Sequence, residues 1–296
     1  MNILLGGADG YNWSQLRGWV LTSKCFSGRR VLLTYRMDDV TKKKCLDHGV
    51  EIVEVNHDIY GQPINHDARV SAGAARTVSH EMRYFHAWQF LEEQDDIEYV
   101  VLTDTRDVIF QKEPIEFIHW SSIGLWTRDN LEHKYILAPQ EGILYKDEPW
   151  NADNLYRAYG GYVWEIMKDK PTYNCGTVAG RMPYFKNLML EMWSMTTGKL
   201  AYPADQCSFG VLVEMMHSAD ILKFPHDDGW CCQCGVTADP TKIDAFRPHL
   251  ITKEPMMDGD GYVCTSKGEK FCLVHQYERN PAWLGIINRR LNGYDI

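Results

Sequence analysis

No stretch of this sequence stays apolar long enough to cross a bilayer, which takes about 20 consecutive apolar residues. The opening MNILLGG is too short for a secretory signal and reads as a first strand. Basic charge is scarce: 31 Lys and Arg stand against 40 Asp and Glu, for a formal net charge of −9. The one basic run, Lys42, Lys43 and Lys44, reads as a solvated helix face. That balance excludes a nonspecific nucleic-acid binder and offers nothing to an anionic membrane surface. Low-complexity tracts and short internal repeats are absent too. What remains is the composition of an ordinary soluble domain, 45% hydrophobic and 24% charged over 296 residues. A single unit with a large core is expected, placed in the cytoplasm for want of a targeting or membrane segment.

Cysteine is present but lacks the pairing that would give it a job. There are nine, an odd number, and no secretory signal accompanies them, so free thiols are expected. Cys231, Cys232 and Cys234 in CCQC invite a zinc site, but the spacing is not that of a C-x-x-C knuckle and no second pair lies nearby. The stretch reads as a loop with small buried thiols.

The first half of the chain alternates strand-like and helix-like segments. Residues 2–5 form an apolar run closed by Gly6 and Gly7, 13–25 carry a helical pattern, and RVLLTY over 30–35 is β-rich. Asp38 or Asp39 caps a helix stopped by Gly49, VEIVEV over 50–55 alternates like a strand, and 77–93 is helical. A further strand covers 97–103. Strands and helices taking turns imply a mainly parallel central sheet flanked by helices, an α/β fold of Rossmann type. In the second half, 150–169, 182–197 and 205–216 read as helices, and 173–180, 221–224 and 271–275 as strands. Residues 225–268, rich in Gly, Asp, Pro and Cys, read as long surface loops.

The stretch YVVLTDTRDVIFQ, residues 99–111, sets two carboxylates where a buried strand ends. In open α/β sheets that is where ligands bind. Asp104 and Asp107 admit three readings: a cap for the next turn, one side of an ion pair, or ligands for a hard divalent cation. His275, after the apolar run FCLV, is a candidate third ligand. Asn174 and Asp205, also at element edges, read on their own as a turn and a helix N-cap.

Taken in order, LTDTRDVIFQKEP (102–114), NCGTVAG (174–180), ADQCSFGVL (204–212) and LVHQYER (273–279) resemble the GT-A fold glycosyltransferases, microbial and viral members included. In that family an acidic D-x-D motif follows an apolar strand, then come an N-[SCA]-G strand, a D-Q or E-Q helix start and a late histidine. This chain departs from the pattern in one place: its aspartates stand in D-T-R-D, separated by two residues instead of one. Aligning VIFQKEP puts Asp107 at the family's last, metal-binding aspartate and Thr105 where the first should be.

The resemblance implies a single GT-A-like domain over 1–296, with a nucleotide-sugar half (1–115) and an acceptor half (116–296). It implies transfer of a sugar from a nucleotide-diphosphate sugar, UDP-linked by preference, to a glycan or other hydroxyl acceptor. The metal would be Mn²⁺ or Mg²⁺, held by Asp104, Asp107 and His275. Asp104 would otherwise reach the ribose or a metal-bound water, and Thr105 lies on the same nucleotide-binding loop. Gly6, Gly7, Ala8, Tyr11 and Asn12 would meet base and ribose. Arg76, Arg83 and Arg106 would meet the diphosphate, or pair with the aspartates. Asp205 and Asn174 are the implied catalytic residues, in an order closer to retaining members. Among Trp126, Trp150, Tyr156, Tyr159, Tyr162, Trp164 and Trp230, one or two are expected to touch a glycan.

Two rivals stay open. One is a phosphatase or phosphotransferase of the haloacid-dehalogenase-like kind, whose aspartate is the nucleophile. The other is a noncatalytic nucleotide-sugar-binding protein, which the altered D-T-R-D spacing keeps in view.

Overall fold

The structure is a computed structural model that describes residues 1–58, 61–64, 80–120, 136–200, 203–216 and 221–293. In its first part, apolar runs form strands and amphipathic segments return between them. β1 (Asn2–Asp9), β2 (Arg29–Arg36) and β3 (Glu51–Glu54) are joined by α1 (Trp13–Thr22) and α2 (Asp39–Asp47). Asn12 starts α1 with a capping box: its side chain accepts from Gln15 N, and the Gln15 side chain accepts from Asn12 N. Asp38 caps α2, and Gly49, at φ +74°, follows that helix. α3 (Met82–Glu92) then leads into β4 (Tyr99–Thr103), which is buried throughout. β5 (Val108–Phe110) and α4 (Pro114–Trp120) come next. β3, β2, β1 and β4 lie in that order, all parallel, so the carboxyl ends of β1 and β4 are neighbours, Gly6 beside Thr103.

Side chains alternate across this sheet as strand geometry requires. Ile3, Leu5, Val100 and Leu102 pack on one face with Tyr84 and Leu91 of α3. Leu4, Leu32 and Val101 pack on the other with Trp19 and Val20 of α1. β1 does not stop at Leu5 but runs through both glycines to Asp9, because Gly6, Gly7 and Ala8 keep pairing with β2.

The rest of the chain extends the sheet. β6 (Ile136–Leu144), α5 (Pro149–Met167), β7 (Pro171–Tyr173), β8 (Thr177–Arg181), α6 (Tyr184–Thr196), α7 (Asp205–Val211) and β9 (Ile221–Phe224) follow in sequence, α7 running on into a π-helical turn, Leu212–Met216. The full order is β3-β2-β1-β4-β8-β6-β7, with β9 on β6. β8 pairs antiparallel with β4 and β6, β6 antiparallel with β7, and β6 parallel with β9. The expected single strand over 173–180 is two strands. Asn174 turns the chain between β7 and β8, its Oδ1 accepting from Gly176 N at 2.9 Å and Thr177 Oγ1 at 3.2 Å.

Residues 225–268 are not all surface loop. β10 (Cys231–Gln233) is buried, and α8 (Cys234–Thr237), α9 (Ile243–Phe246), β11 (Met256–Met257) and β12 (Val263–Cys264) follow it. β13 (Leu273–His275) joins β10 in parallel and β5 antiparallel, forming a second sheet ordered β10-β13-β5. Cysteine here acts as a small apolar residue: Cys232 and Cys234 pack with Val263, Phe271 and Val274. α10 (Pro281–Asn292) closes the described chain, and no described helix is long and apolar enough to cross a membrane.

Candidate functional site

The second sheet explains how His275 reaches the aspartates. Its register sets His275 opposite Val108, the residue after Asp107. His275 Nε2 lies 3.4 Å from Asp104 Oδ2 and 3.8 Å from Asp107 Oδ1. One ligand atom from each of the three residues lies within 4.8 Å of the others, the one such group of three His, Cys, Asp or Glu side chains among the described residues. The imidazole is aimed from behind: its Nδ1 lies 2.8 Å from Gln233 Oε1, an acceptor, so Nδ1 carries the proton and Nε2 faces the carboxylates. Gln233 is itself held by Thr177 Oγ1 at 3.4 Å. Its place between two cysteines gave no sign of this role.

Glycines shape the aspartate loop. Thr105 is buried over Gly6, where a side chain would collide with its methyl group, and its hydroxyl donates to Gly7 O at 2.7 Å. On the other side the Asp104 amide donates to Gly176 O at 2.7 Å, and a Cβ on Gly176 would lie 2.5 Å from Asp104 Oδ2. The glycine of N-C-G is therefore the space the Asp104 carboxylate fills. Gly176→Ala should displace that carboxylate and cost about 1–3 kcal/mol by overpacking. Urea unfolding checks it.

Arg83 of α3 is the site's central cation. It bridges Asp104 Oδ1 at 2.5 Å and Asp205 Oδ2 at 3.1 Å, and also donates to the Tyr84 hydroxyl. Burial alone would lift the Asp104 carboxyl, but Arg83 and His275 outweigh it and hold Asp104 well below the usual carboxylate range. Burial likewise disfavours charge on His275, and Asp107 and Asp104 outweigh it and raise its pKa. Arg106, half exposed, reaches Asp107 Oδ2 and Glu278 Oε1, each at 3.4 Å.

These groups line a cleft of about 250 Å³ at the carboxyl ends of β1 and β4. Gly7, Ala8, Tyr11, Arg83, the 104–107 loop and His275 line it. Asp9, Tyr35, His80 and Gln276 join them, none singled out by the sequence. Several expected residues lie elsewhere. Gly6 sits beneath Thr105, and the Asn12 side chain is spent capping α1. Asp205 and Asn174, both buried, stand behind the cleft: Asp205 on Arg83, Asn174 in the β7–β8 turn. Arg76 and Trp126 lie outside the described residues. Of the other aromatics, Trp230 is fully buried and donates to Thr177 O, and Tyr159 donates to Ser208, whereas Trp150, Tyr156 and Tyr162 are exposed. Trp164 packs against the cluster around Tyr145.

No protein-family model and no curated protein matches the chain. Among solved structures, it is similar to the crystal structure of a glycosyltransferase involved in the glycosylation of the major capsid of PBCV-1. The identity is 12%, the TM-score 0.43, and the match covers 96% of this chain and 98% of that one.

Proposed function

We propose that this protein is a metal-dependent glycosyltransferase that takes its sugar from a nucleotide-diphosphate sugar and passes it to a hydroxyl acceptor. The observation that supports this most is the cluster of Asp104, Asp107 and His275 on the wall of a polar, arginine-lined cleft. Its donors fit a divalent cation: carboxylate oxygens and an imidazole nitrogen, close enough to surround one ion, with the nitrogen oriented by a partner on its other side. Carboxylates suit Mg²⁺ or Mn²⁺, and the imidazole shifts the choice toward Mn²⁺. Bound there, the ion would act as a Lewis acid on a diphosphate leaving group.

The chain's own residues do the rest in this reading. Arg106 offers donors to diphosphate oxygens from the cleft's edge. Tyr11, raised by burial and by Asp104, stays a neutral ring beside the glycines of β1, placed to stack on a uracil. Asp205 positions Arg83, and Arg83 holds Asp104. Asn174 positions Gly176 against Asp104. Retention at the sugar carbon is the stereochemistry we assign.

A thermal-shift screen of UDP, GDP and CDP, each with Mn²⁺, Mg²⁺ or EDTA, tests the reading. One nucleotide should stabilise the fold only with metal, by about 2.7 kcal/mol at a hundred times its Kd. Stabilisation by none of them removes the donor site and the proposal with it. Gln233→Ala should leave the fold intact and weaken Mn²⁺ binding by about 10- to 100-fold, as loss of an outer partner does; isothermal titration with Mn²⁺ reads it.

A further inference from the structure

Gln276 is shared between the cleft above and a second one. That second cleft, about 280 Å³, sets two acidic side chains, Glu141 and Glu148, against two basic ones, Lys242 and Arg279, with Trp150, Asn151, Gln206 and Gln276 beside them, a balance that suits an uncharged ligand. Glu141 is only 5% exposed, and neutral amides hold it. Asn174 Nδ2 lies 3.2 Å from Oε1, while Gln206 Nε2 at 3.0 Å and Asn151 Nδ2 at 3.3 Å reach Oε2. Gln206 Nε2 also donates to Asn151 Oδ1 at 2.8 Å, which ties these two side-chain amides together, and the Asn151 main-chain N–H donates to Glu148 Oε2 at 2.6 Å, so Glu148 caps α5. Burial and then the charge of Glu148 push the Glu141 carboxyl up. A carboxyl buried among neutral amides costs desolvation energy that its hydrogen bonds offset only in part. On the wall of a cleft, it marks a group kept for a ligand.

The partition between the clefts is also held at a cost. Gln276 adopts φ +56°, ψ +36°, a left-handed backbone unusual for a residue with a side chain. Its amide donates to Asp107 O at 2.7 Å, and its side chain packs over Gly235, where a Cβ has no room. The clefts are further linked from Glu141 through Asn174 and Gly176 to Asp104.

Building on the donor reading above, we propose that the second cleft is the acceptor subsite and that it takes a neutral saccharide. The carboxylates of Glu141 and Glu148 and the tied amides of Asn151 and Gln206 match the donors and acceptors of a polyhydroxylated ring. The Trp150 ring, 44% exposed, offers a face for the sugar's C–H side. An alkyl chain would meet a wall that carries Glu141, Glu148, Lys242 and Arg279 beside two apolar side chains, Trp150 and Val236. An extended peptide adds to a free, regular strand edge, and this wall offers one strand residue, Glu141, in the irregular stretch of β6 between Gln140 and Leu144.

Saturation-transfer NMR on the full chain, with UDP and Mn²⁺ present, tests this with the methyl glycosides of glucose, galactose, mannose and xylose. Sorbitol and a Ser/Thr-containing peptide serve as comparison probes. At least one glycoside should receive magnetisation, and its binding should weaken about fivefold in Trp150→Ala. Glu141→Gln should weaken it as well. UDP·Mn²⁺ affinity, measured by calorimetry on the same samples, should be unchanged in Trp150→Ala, whose exposed position spares the fold. If UDP·Mn²⁺ binds but no glycoside does, or if the peptide binds instead, the acceptor assignment is overturned and the donor reading stands. Glycoside binding that ignores both substitutions also overturns it. If UDP·Mn²⁺ fails to bind while a glycoside binds and responds to both substitutions, the donor reading falls and a saccharide site remains.

Discussion

Asp107→Asn should abolish metal-dependent sugar transfer, by about a thousandfold or more, while the protein stays folded. The substitution keeps shape and removes the charge of one of the three clustered side chains. Little else depends on that charge. The main-chain carbonyl of Asp107 still accepts from Gln276; of the two basic groups beside its carboxylate, Arg106 is half exposed and His275 keeps Asp104 at 3.4 Å. Rates with a panel of UDP-sugars, beside circular-dichroism melts, measure both halves. A rate within about tenfold of wild type would put the metal chemistry elsewhere.

Arg83→Met should cause the largest loss of stability, about 3–5 kcal/mol at neutral pH. It removes the cation shared by Asp104 and Asp205, whose side chains are 31% and 7% exposed, so Asp205 is left charged in the interior. Arg83→Lys should fall between, because one ammonium does not span two carboxylates as a guanidinium fork does. The pH dependence has a definite sign. The folded-state pKa of Asp104 is depressed, so its pairing contributes stability above the unfolded value, about 3.9, and loses it as pH falls through the lower folded value. The gap between wild type and Arg83→Met should therefore be widest near neutrality and close in acid. Urea unfolding from neutral pH down to about pH 3 shows the gap begin to narrow below about pH 4.

Much of the parallel half-sheet was legible because each of its elements is long enough to show a period, and its caps, Asp38 and Gly49, mark ends by a local mechanism. The residues of the Asp104, Asp107 and His275 cluster were legible for a different reason: D-T-R-D and VHQ each stand at the end of an apolar run, and their order resembles a known arrangement. What holds them was not legible. β10 is three residues of cysteine and glutamine, too short for any period, and its value lies in pairing with a strand some forty residues on, Gln233 meeting His275 across 42 positions. Glu141 was hidden likewise, since its partners come from 10, 33 and 65 residues away. Asn12 misled in the other direction: a polar residue after a glycine loop looks like a ligand contact, but here it satisfies the free amides of α1.

The most direct test of the central claim is electron paramagnetic resonance of the full chain titrated with Mn²⁺. The account predicts a single bound ion whose spectrum carries coupling to one imidazole nitrogen. That coupling should vanish in His275→Ala, and binding should collapse in Asp107→Asn. Failure to bind Mn²⁺, or binding that neither substitution alters, would contradict it.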